Sequence, residues 1–204
     1  MRATGSQNVV LVRHAAATGQ HADASLTIDG QRQARALDHF LRMLRIERVI
    51  CSPFRRAVES IDPFCLQAGL RVETDPRLVE RVLGVGDTFD WREHLRRSFD
   101  EPDYCLEGGE SSRTAQERGI SVVREALVST RRCALVTHGN MLALILKWAD
   151  ATVGFELWSG LSNPDVFVLH ADGHGVKGFS RVWDQAGELT GDNADLLVPN
   201  RFCS

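Results

Sequence analysis

NVVLVRHAAATG, Asn8 to Gly19, is the stretch on which the reading of this chain turns. Its first half is a run of β-branched and other apolar residues, the pattern of a strand covered on both faces. The run then delivers Arg13 and His14 side by side and stops in small residues. Alone, such a pair is an ordinary solvated strand end, because a short motif acquires meaning only from its context.

Working outward, the same grammar returns twice. VICSPFRRA and ALVTHG also run from an apolar strand into polar residues where a helix or loop begins. Between these places β-branched runs alternate with helical periodicity, the pattern of an α/β fold with a largely parallel sheet. LTIDGQRQARALDHFLRML reads as a helix capped by Thr27, with Ala34, Leu37, Leu41 and Leu44 on one face. RVICS, Arg48 to Ser52, is a second strand, followed by a helix from about Phe54 to Leu66; LRVETDP is a third, ended by Pro76. From Arg77 to Gly109 the periodicity weakens apart from a short helix around Trp91 to Phe99, and irregular chain of that length is commonly functional. A helix resumes in ESSRTAQERGISVVREALVS, with Thr114 and Glu117 at capping-box spacing. CALVTHGN and MLALILKWAD follow as strand and apolar helix, and VFVLHADGHGVKGFSRVW closes as a hairpin turning at Asp172-Gly173.

The 204 residues suit one domain over 1–204, with a loop and helix insertion at about 77–109. A formal net charge of −3 offers no general field for nucleic acid or an anionic membrane, so any bound anion needs a local positive cluster. Cys51, Cys65, Cys105, Cys133 and Cys203 are odd in number and show no metal-ligand spacing, which favours reduced thiols over a disulfide framework. MRATGSQN has no apolar leader pattern, and no run reaches the ~20 apolar residues of a membrane span; the expected compartment is the cytoplasm.

In open α/β sheets the carboxyl ends of the strands line the ligand crevice. Arg13, His14, Arg55 or Arg56, and His138 therefore converge on one edge. Two arginines and two histidines make a local positive pocket in a slightly acidic protein, and its natural guest is a phosphate.

The motifs that gather there resemble those of the histidine phosphatase superfamily, the phosphoglycerate-mutase-like enzymes. LVRHAAA is similar to that family's LVRHGET, SLTIDGQRQARAL to its LTxxGxxQAxxL, and CSPFRRAVES to its SxLxRAxxT. LVERVLG resembles its acidic segment, GGESSRT its PxGES helix start, ALVTHGN its THG motif and LSNPDVFVL its late asparagine strand. These segments stand in the family's order from about Val9 to the Val166 strand. The resemblance implies a three-layer α/β/α sandwich, a mostly parallel sheet with helices on both faces. It implies phosphomonoester hydrolysis through a phosphohistidine on His14, with His138 its positively charged neighbour. Arg13, Arg56 and His138 would bind the phosphoryl group and Glu80 would be proton donor and acceptor. Arg56, not Arg55, takes the arginine role because it directly precedes the alanine of the RA pair.

That assignment agrees with elementary chemistry. Imidazole attacks phosphorus only when neutral, cationic neighbours favour the neutral form, and the same cations stabilise a transferring phosphoryl group. A carboxyl group then protonates the leaving alkoxide and takes a proton from the hydrolytic water. The chemistry calls for no metal and no cofactor. A small phosphorylated substrate is the expected partner, with nucleic acid and membrane excluded and a homodimer left open.

Departures from the family pattern fall in two places. Ala15, Ala16 and Ala17 follow the histidine, so the motif hydroxyl is missing unless Thr18, a candidate substrate-binding residue, replaces it. RRSFDEP, Arg96 to Pro102, resembles the RRSYDxP segment of the cofactor-dependent mutases, but LVERVLGVGD lacks their ERHYG continuation; Arg96 and Arg97 are read either as substrate contacts or as the polar face of a short helix. A phosphatase is therefore favoured over a phosphoglycerate mutase-type phosphotransferase, and a silent phosphate-binding domain is the third reading. Glu73, Asp75, Asp87 and Asp90 compete with Glu80, whose ordinary alternative is an ion pair with Arg77 or Arg81. His21 with Asp23, and His170 with His174, read as surface groups.

Overall fold

β1 (Gln7–Arg13) lies inside a six-stranded sheet of order β3-β2-β4-β1-β5-β6, in a computed structural model that describes residues 7–85, 90–129 and 132–183. β2 (Arg48–Cys51), β3 (Val72–Thr74) and β4 (Cys133–Thr137) complete a parallel set with β1, through the pairings β3·β2, β2·β4 and β4·β1. β5 (Asp165–Asp172) lies antiparallel to β1, and β6 (Gly175–Arg181) forms the closing hairpin with it. The sheet is mostly parallel, as the alternating strand and helix patterns indicate.

Side chains on β1 alternate between two separate cores. Val9 and Leu11 join one, with Leu135, Phe167 and the apolar residues of α4 (Ser112–Leu127) and α5 (Gly139–Ala149). Val10 and Val12 join the other, with Ala134, Val136 and the buried faces of α1 (Ile28–Met43) and α2 (Arg55–Ala68). Helices thus cover both faces, giving three layers, and this is why β1 reads as an unbroken apolar run. Two short helices, α3 (Trp91–Asp100) and α6 (Phe155–Ser159), add to the first core at its edge. Among the described residues no helix is long and apolar enough to cross a membrane.

Two element boundaries differ from the sequence expectation. α2 continues past Leu66 to Ala68, where Gly69 at φ 66° takes the left-handed conformation that ends it. α4 is capped by Ser111, whose hydroxyl accepts from Thr114 N–H, and Thr114 and Glu117 lie inside the helix rather than at its start. Thr27 caps α1 as expected, accepting from Gly30 N–H. Cys51, Cys65 and Cys133 are buried thiols and Cys105 is exposed, while Cys203 and Asp87 lie outside the described residues.

The loop after β1 is seated on α1 by the residues of LTIDGQRQ. Gln33 accepts from Ala16 N–H at 2.8 Å, Thr27 N–H donates to Ala16 O at 3.0 Å, and Ala17 bridges Leu26. Gly30 lies directly beneath, where an added Cβ would stand 1.9 Å from Ala16 O. That contact is with backbone, so the loop itself would have to rise. Gly30→Ala is expected to destabilise the fold by about 1–3 kcal/mol, the usual cost of overpacking. A fall in the urea midpoint with an unchanged m-value checks it, and a neutral substitution would show that the loop does not depend on this seat.

Candidate active site

Registry between β1 and β4 sets the centre of the site. Arg13 pairs with Thr137, so His14 and His138 leave the sheet at the same level, and their rings lie 5.0 Å apart, edge to face. His14 N–H donates to Thr137 O at 3.0 Å, fixing the first residue off the strand. His14 Nδ1 lies 2.7 Å from Ala15 O, which can only accept, so Nδ1 carries the proton and Nε2 carries the lone pair. Arg56 Nε donates to that Nε2 at 3.1 Å.

Arg56 is 1% exposed at the start of α2, with Nη1 donating to the carbonyls of Gln20 and His21 at 2.9 and 2.7 Å. Its neighbour Arg55 points outward onto Glu59 at 2.6 Å, so of the two arginines Arg56 reaches the histidine. Ser60, one turn on, accepts from Ala15 N–H and donates to Arg56 O, tying the histidine loop to the helix. At the end of β2, Ser52 Oγ lies 2.7 Å from His138 Nε2.

Arg13 reaches across the sheet edge, where Nη1 donates to Leu161 O and Ser162 O at 2.9 and 3.2 Å. That loop is pinned by the buried Asp165, which accepts from Ser162 N–H and pairs with Arg181 at 2.6 Å. Asn163 on the same loop donates to His14 O at 2.7 Å. An added Cβ on Gly139 would lie 3.2 Å from Arg13 Nε, so the glycine lets the guanidinium lie flat against the start of α5. Glu80 reaches the same helix end: Oε2 accepts from Asn140 N–H, and Oε1 from Met141 N–H and Arg81 N–H.

Arg13, Glu80, Gly139 and Asn140 form the inner end of a cavity of about 620 Å³. His14 and His138, 7% and 0% exposed, belong to the same cluster. Arg13 Nε, Arg56 Nη2, His138 Nδ1 and both amide atoms of Asn140 are buried and have no hydrogen-bond partner. Native interiors leave few such groups, and their concentration at one place marks where a polyanion fits.

Burial pushes His14 down to about 4, helped by the charges of Arg56 and Arg13 and opposed by the Ala15 carbonyl. His138 is driven well below the usual histidine range by burial, then by His14, Arg56, Arg118 and Arg13. Burial and these cations thus favour the neutral form of His138 in the ligand-free site, where the sequence reading has it as a positively charged neighbour of His14. Burial also lowers both guanidiniums from their ordinary value, and Glu80 offsets part of this.

The other candidates stand elsewhere. Thr18 is exposed and its hydroxyl donates to Ser25 O at 3.2 Å. Asp75 pairs with Arg77 at 2.7 Å and Glu73 with Arg48 at 2.7 Å. Arg77 is held by Asp75 and Glu125 and Arg81 by Ser98, Ser112 and Glu110 O, so neither pairs with Glu80. Arg96 pairs with Glu156 and Arg97 with Glu101, the polar-face reading of that helix. His21 is largely exposed, yet its residue lines the cavity mouth and its carbonyl holds Arg56. His170 bonds Ser180 and His174 is exposed. Ser52, Ser60, Gln33, Asn140 and Asn163 were not singled out from the sequence, although all but Asn140 occupy defined positions of the family motifs, Ser60 that of the threonine in SxLxRAxxT.

A model of the histidine phosphatase superfamily, branch 1, matches residues 9–180, and this chain belongs to that superfamily. Its fold is shared with a mycobacterial glucosyl-3-phosphoglycerate phosphatase solved with inorganic phosphate, at 23% identity and TM-score 0.72, covering 90% of this chain and all of that one. It is also shared with a phosphoserine phosphatase from Entamoeba histolytica in complex with 3-phosphoglyceric acid, at 16% identity and TM-score 0.71, covering 88% and 98%. YhfR of Bacillus stearothermophilus is a third, at 23% identity and TM-score 0.70, covering 90% and 98%. No curated protein matches the chain in sequence.

The histidines make stability pH-dependent. Unfolded histidine takes up its proton near pH 6.5, whereas folded His14 does so only at about 4, so between these values the unfolded chain holds more protons. Stability therefore falls as pH drops from 6.5 to 4, by on the order of 3 kcal/mol for His14 alone. Denaturant titrations at pH 7 and 4.5 are expected to show this, with a smaller difference in His14→Gln. An equal difference in both proteins would remove His14 as the source. Ser52→Ala leaves His138 Nε2 buried without its partner and is expected to cost about 1–3 kcal/mol in the same measurement.

Proposed function

We propose that the protein is a phosphatase that hydrolyses phosphomonoesters through a phosphohistidine on His14. The observation that carries this reading is one imidazole lone pair, at His14 Nε2, with three buried unpaired N–H-bearing groups around it: Arg13 Nε, Arg56 Nη2 and His138 Nδ1. Phosphoryl oxygens satisfy those groups, and in doing so they draw Arg56 Nε off the histidine and expose its lone pair.

Nε2 then attacks phosphorus as the P–O bond to the alcohol breaks. The arginines neutralise charge on the transferring group, where fixed donors contribute most. With Ser52 donating to Nε2, His138 presents Nδ1–H to an oxygen, and the dianion raises the affinity of this imidazole for a proton. Glu80 supplies the proton for the leaving alkoxide. In the second half it accepts a proton from water as that water attacks the phosphohistidine, releasing inorganic phosphate and restoring His14. Oε1 is committed to two N–H groups, whereas Oε2 accepts one and keeps a lone pair for this exchange. No metal enters any step, since side chains supply the positive charge.

Hydrolysis is favoured over a mutase reaction by the fate of Arg96 and Arg97. In the mutase-like reading of RRSFDEP they hold substrate, but both are engaged by glutamates outside the cavity. Two of the structural relatives, themselves phosphatases by name, point the same way.

With chelator present, an aryl phosphate is expected to be turned over, and His14→Ala to lower kcat by a factor on the order of 10⁴ or more, as loss of a covalent nucleophile does. Acid-labile phosphate on the protein should vanish in the same variant. Undiminished turnover in His14→Ala overturns the proposal, and interconversion of phosphoglycerates without phosphate release replaces it with the mutase reading. Glu80→Gln is expected to reduce kcat by about 10²–10⁴, with a smaller loss for substrates whose leaving groups need no proton.

A further inference from the structure

The cavity changes chemistry along its depth. Beyond the arginine and glutamate end, its wall is built by Val82 and Leu83 after Glu80, Trp91 and Leu95 of α3, Trp158 of α6, and Phe54 before α2. Trp91 and Val82 are 43% and 53% exposed, an unusual placement for large apolar side chains unless something covers them. Trp91 and Trp158 meet edge to face at 6.0 Å, and Phe155 backs Trp158 at 5.2 Å, so the rings are held in place. Phe54 continues the apolar wall inward, with its ring 5.1 Å from that of His138.

Near this wall Arg96 is paired, while Arg92 is exposed and held only over the rings. Arg96 stacks on Phe155 and pairs with Glu156, and Arg92 lies over the Trp91, Phe155 and Trp158 rings while lining a neighbouring cleft. Arg81 gives Nε to Glu110 O and Nη1 to Ser98 and Ser112, leaving Nη2 as its one unpaired nitrogen. The outer cavity therefore presents an apolar, aromatic wall with Arg81 Nη2 as its buried donor, and Gln20 and His21 are the other polar residues of the lining there. A second phosphate or a carboxylate asks for a cluster of cations, and a polyol asks for many donors and acceptors.

Building on the phosphatase reading, we infer that the substrates are phosphomonoesters whose alcohol carries an apolar, planar group, packed against Trp91 and Trp158 while the phosphate sits among Arg13, Arg56 and the histidines. Trp91 and Trp158 are specificity-determining residues, and Asn140 and Arg81 Nη2 offer hydrogen bonds at the junction of the two halves. The volume of about 620 Å³ accommodates such a group in addition to phosphate.

The test compares benzyl phosphate, glycerol 3-phosphate and 3-phosphoglycerate, all esters of aliphatic alcohols, so that leaving-group chemistry is similar and the wall is what differs. The wild-type kcat/KM for benzyl phosphate is expected to exceed the other two by about tenfold or more, within the range that apolar pockets deliver. Trp91→Ala and Trp158→Phe should lower kcat/KM for benzyl phosphate by about tenfold and about threefold, and change glycerol 3-phosphate less than about twofold. A merely structural tryptophan would lower all three together. That outcome, or a preference for either polar ester, overturns the inference and leaves the phosphatase reading intact. Absence of turnover on every ester, with no phosphoenzyme, overturns both.

Discussion

The parallel pairing of β1 with β4 is the constraint on which the rest depends. Its register runs from Val9 opposite Cys133 to Arg13 opposite Thr137. A slip of one residue would exchange the side chains that face the two cores, sending Val10 and Val12 where Val9 and Leu11 now lie. The cores therefore lock the register, and the register sets how closely His14 and His138 approach. The geometry of the site is inherited from apolar residues that never meet a substrate.

Around that centre, the structure answers a difficult electrostatic demand. Two guanidiniums and two imidazoles are buried together, and each must either find an acceptor or forgo its proton. Backbone carbonyls supply most of the acceptors: Gln20 and His21 for Arg56, Leu161 and Ser162 for Arg13, Ala15 for His14. For the imidazoles, burial and the neighbouring charges favour the other course, the neutral form. The donors left unpaired on Arg13, Arg56 and Asn140 are fixed in place before any ligand arrives.

The sequence disclosed the fold well where one principle governed it. An unbroken apolar strand, a Thr27 cap and an alternating order of elements each follow from local chemistry, and the structure agrees. Arg13, His14 and His138 were legible because their residue types are costly to bury and their strand-end positions converge, whereas Glu80, and Arg56 rather than Arg55, were legible only through the family resemblance. Less legible were residues whose importance is relational. Ser52 matters only because β2 ends beside β4, and Asn163 because a distant loop returns to the His14 carbonyl. Ser60 matters because a turn of α2 faces the Ala15 amide. Thr18 shows the opposite case: a hydroxyl near the motif in sequence is spent on Ser25, since a local carbonyl competes with any ligand. The burial of His138 among other cations is likewise visible only in three dimensions.

Arg81 joins the two halves of the cavity. It stands next to Glu80, yet its guanidinium is rooted in Ser98 of α3 and Ser112 at the start of α4. A displacement of α3 as a whole would therefore be carried through Ser98 and the Arg81 guanidinium to the residue beside Glu80. Exchange of the exposed Trp91 ring alone would leave that anchor in place.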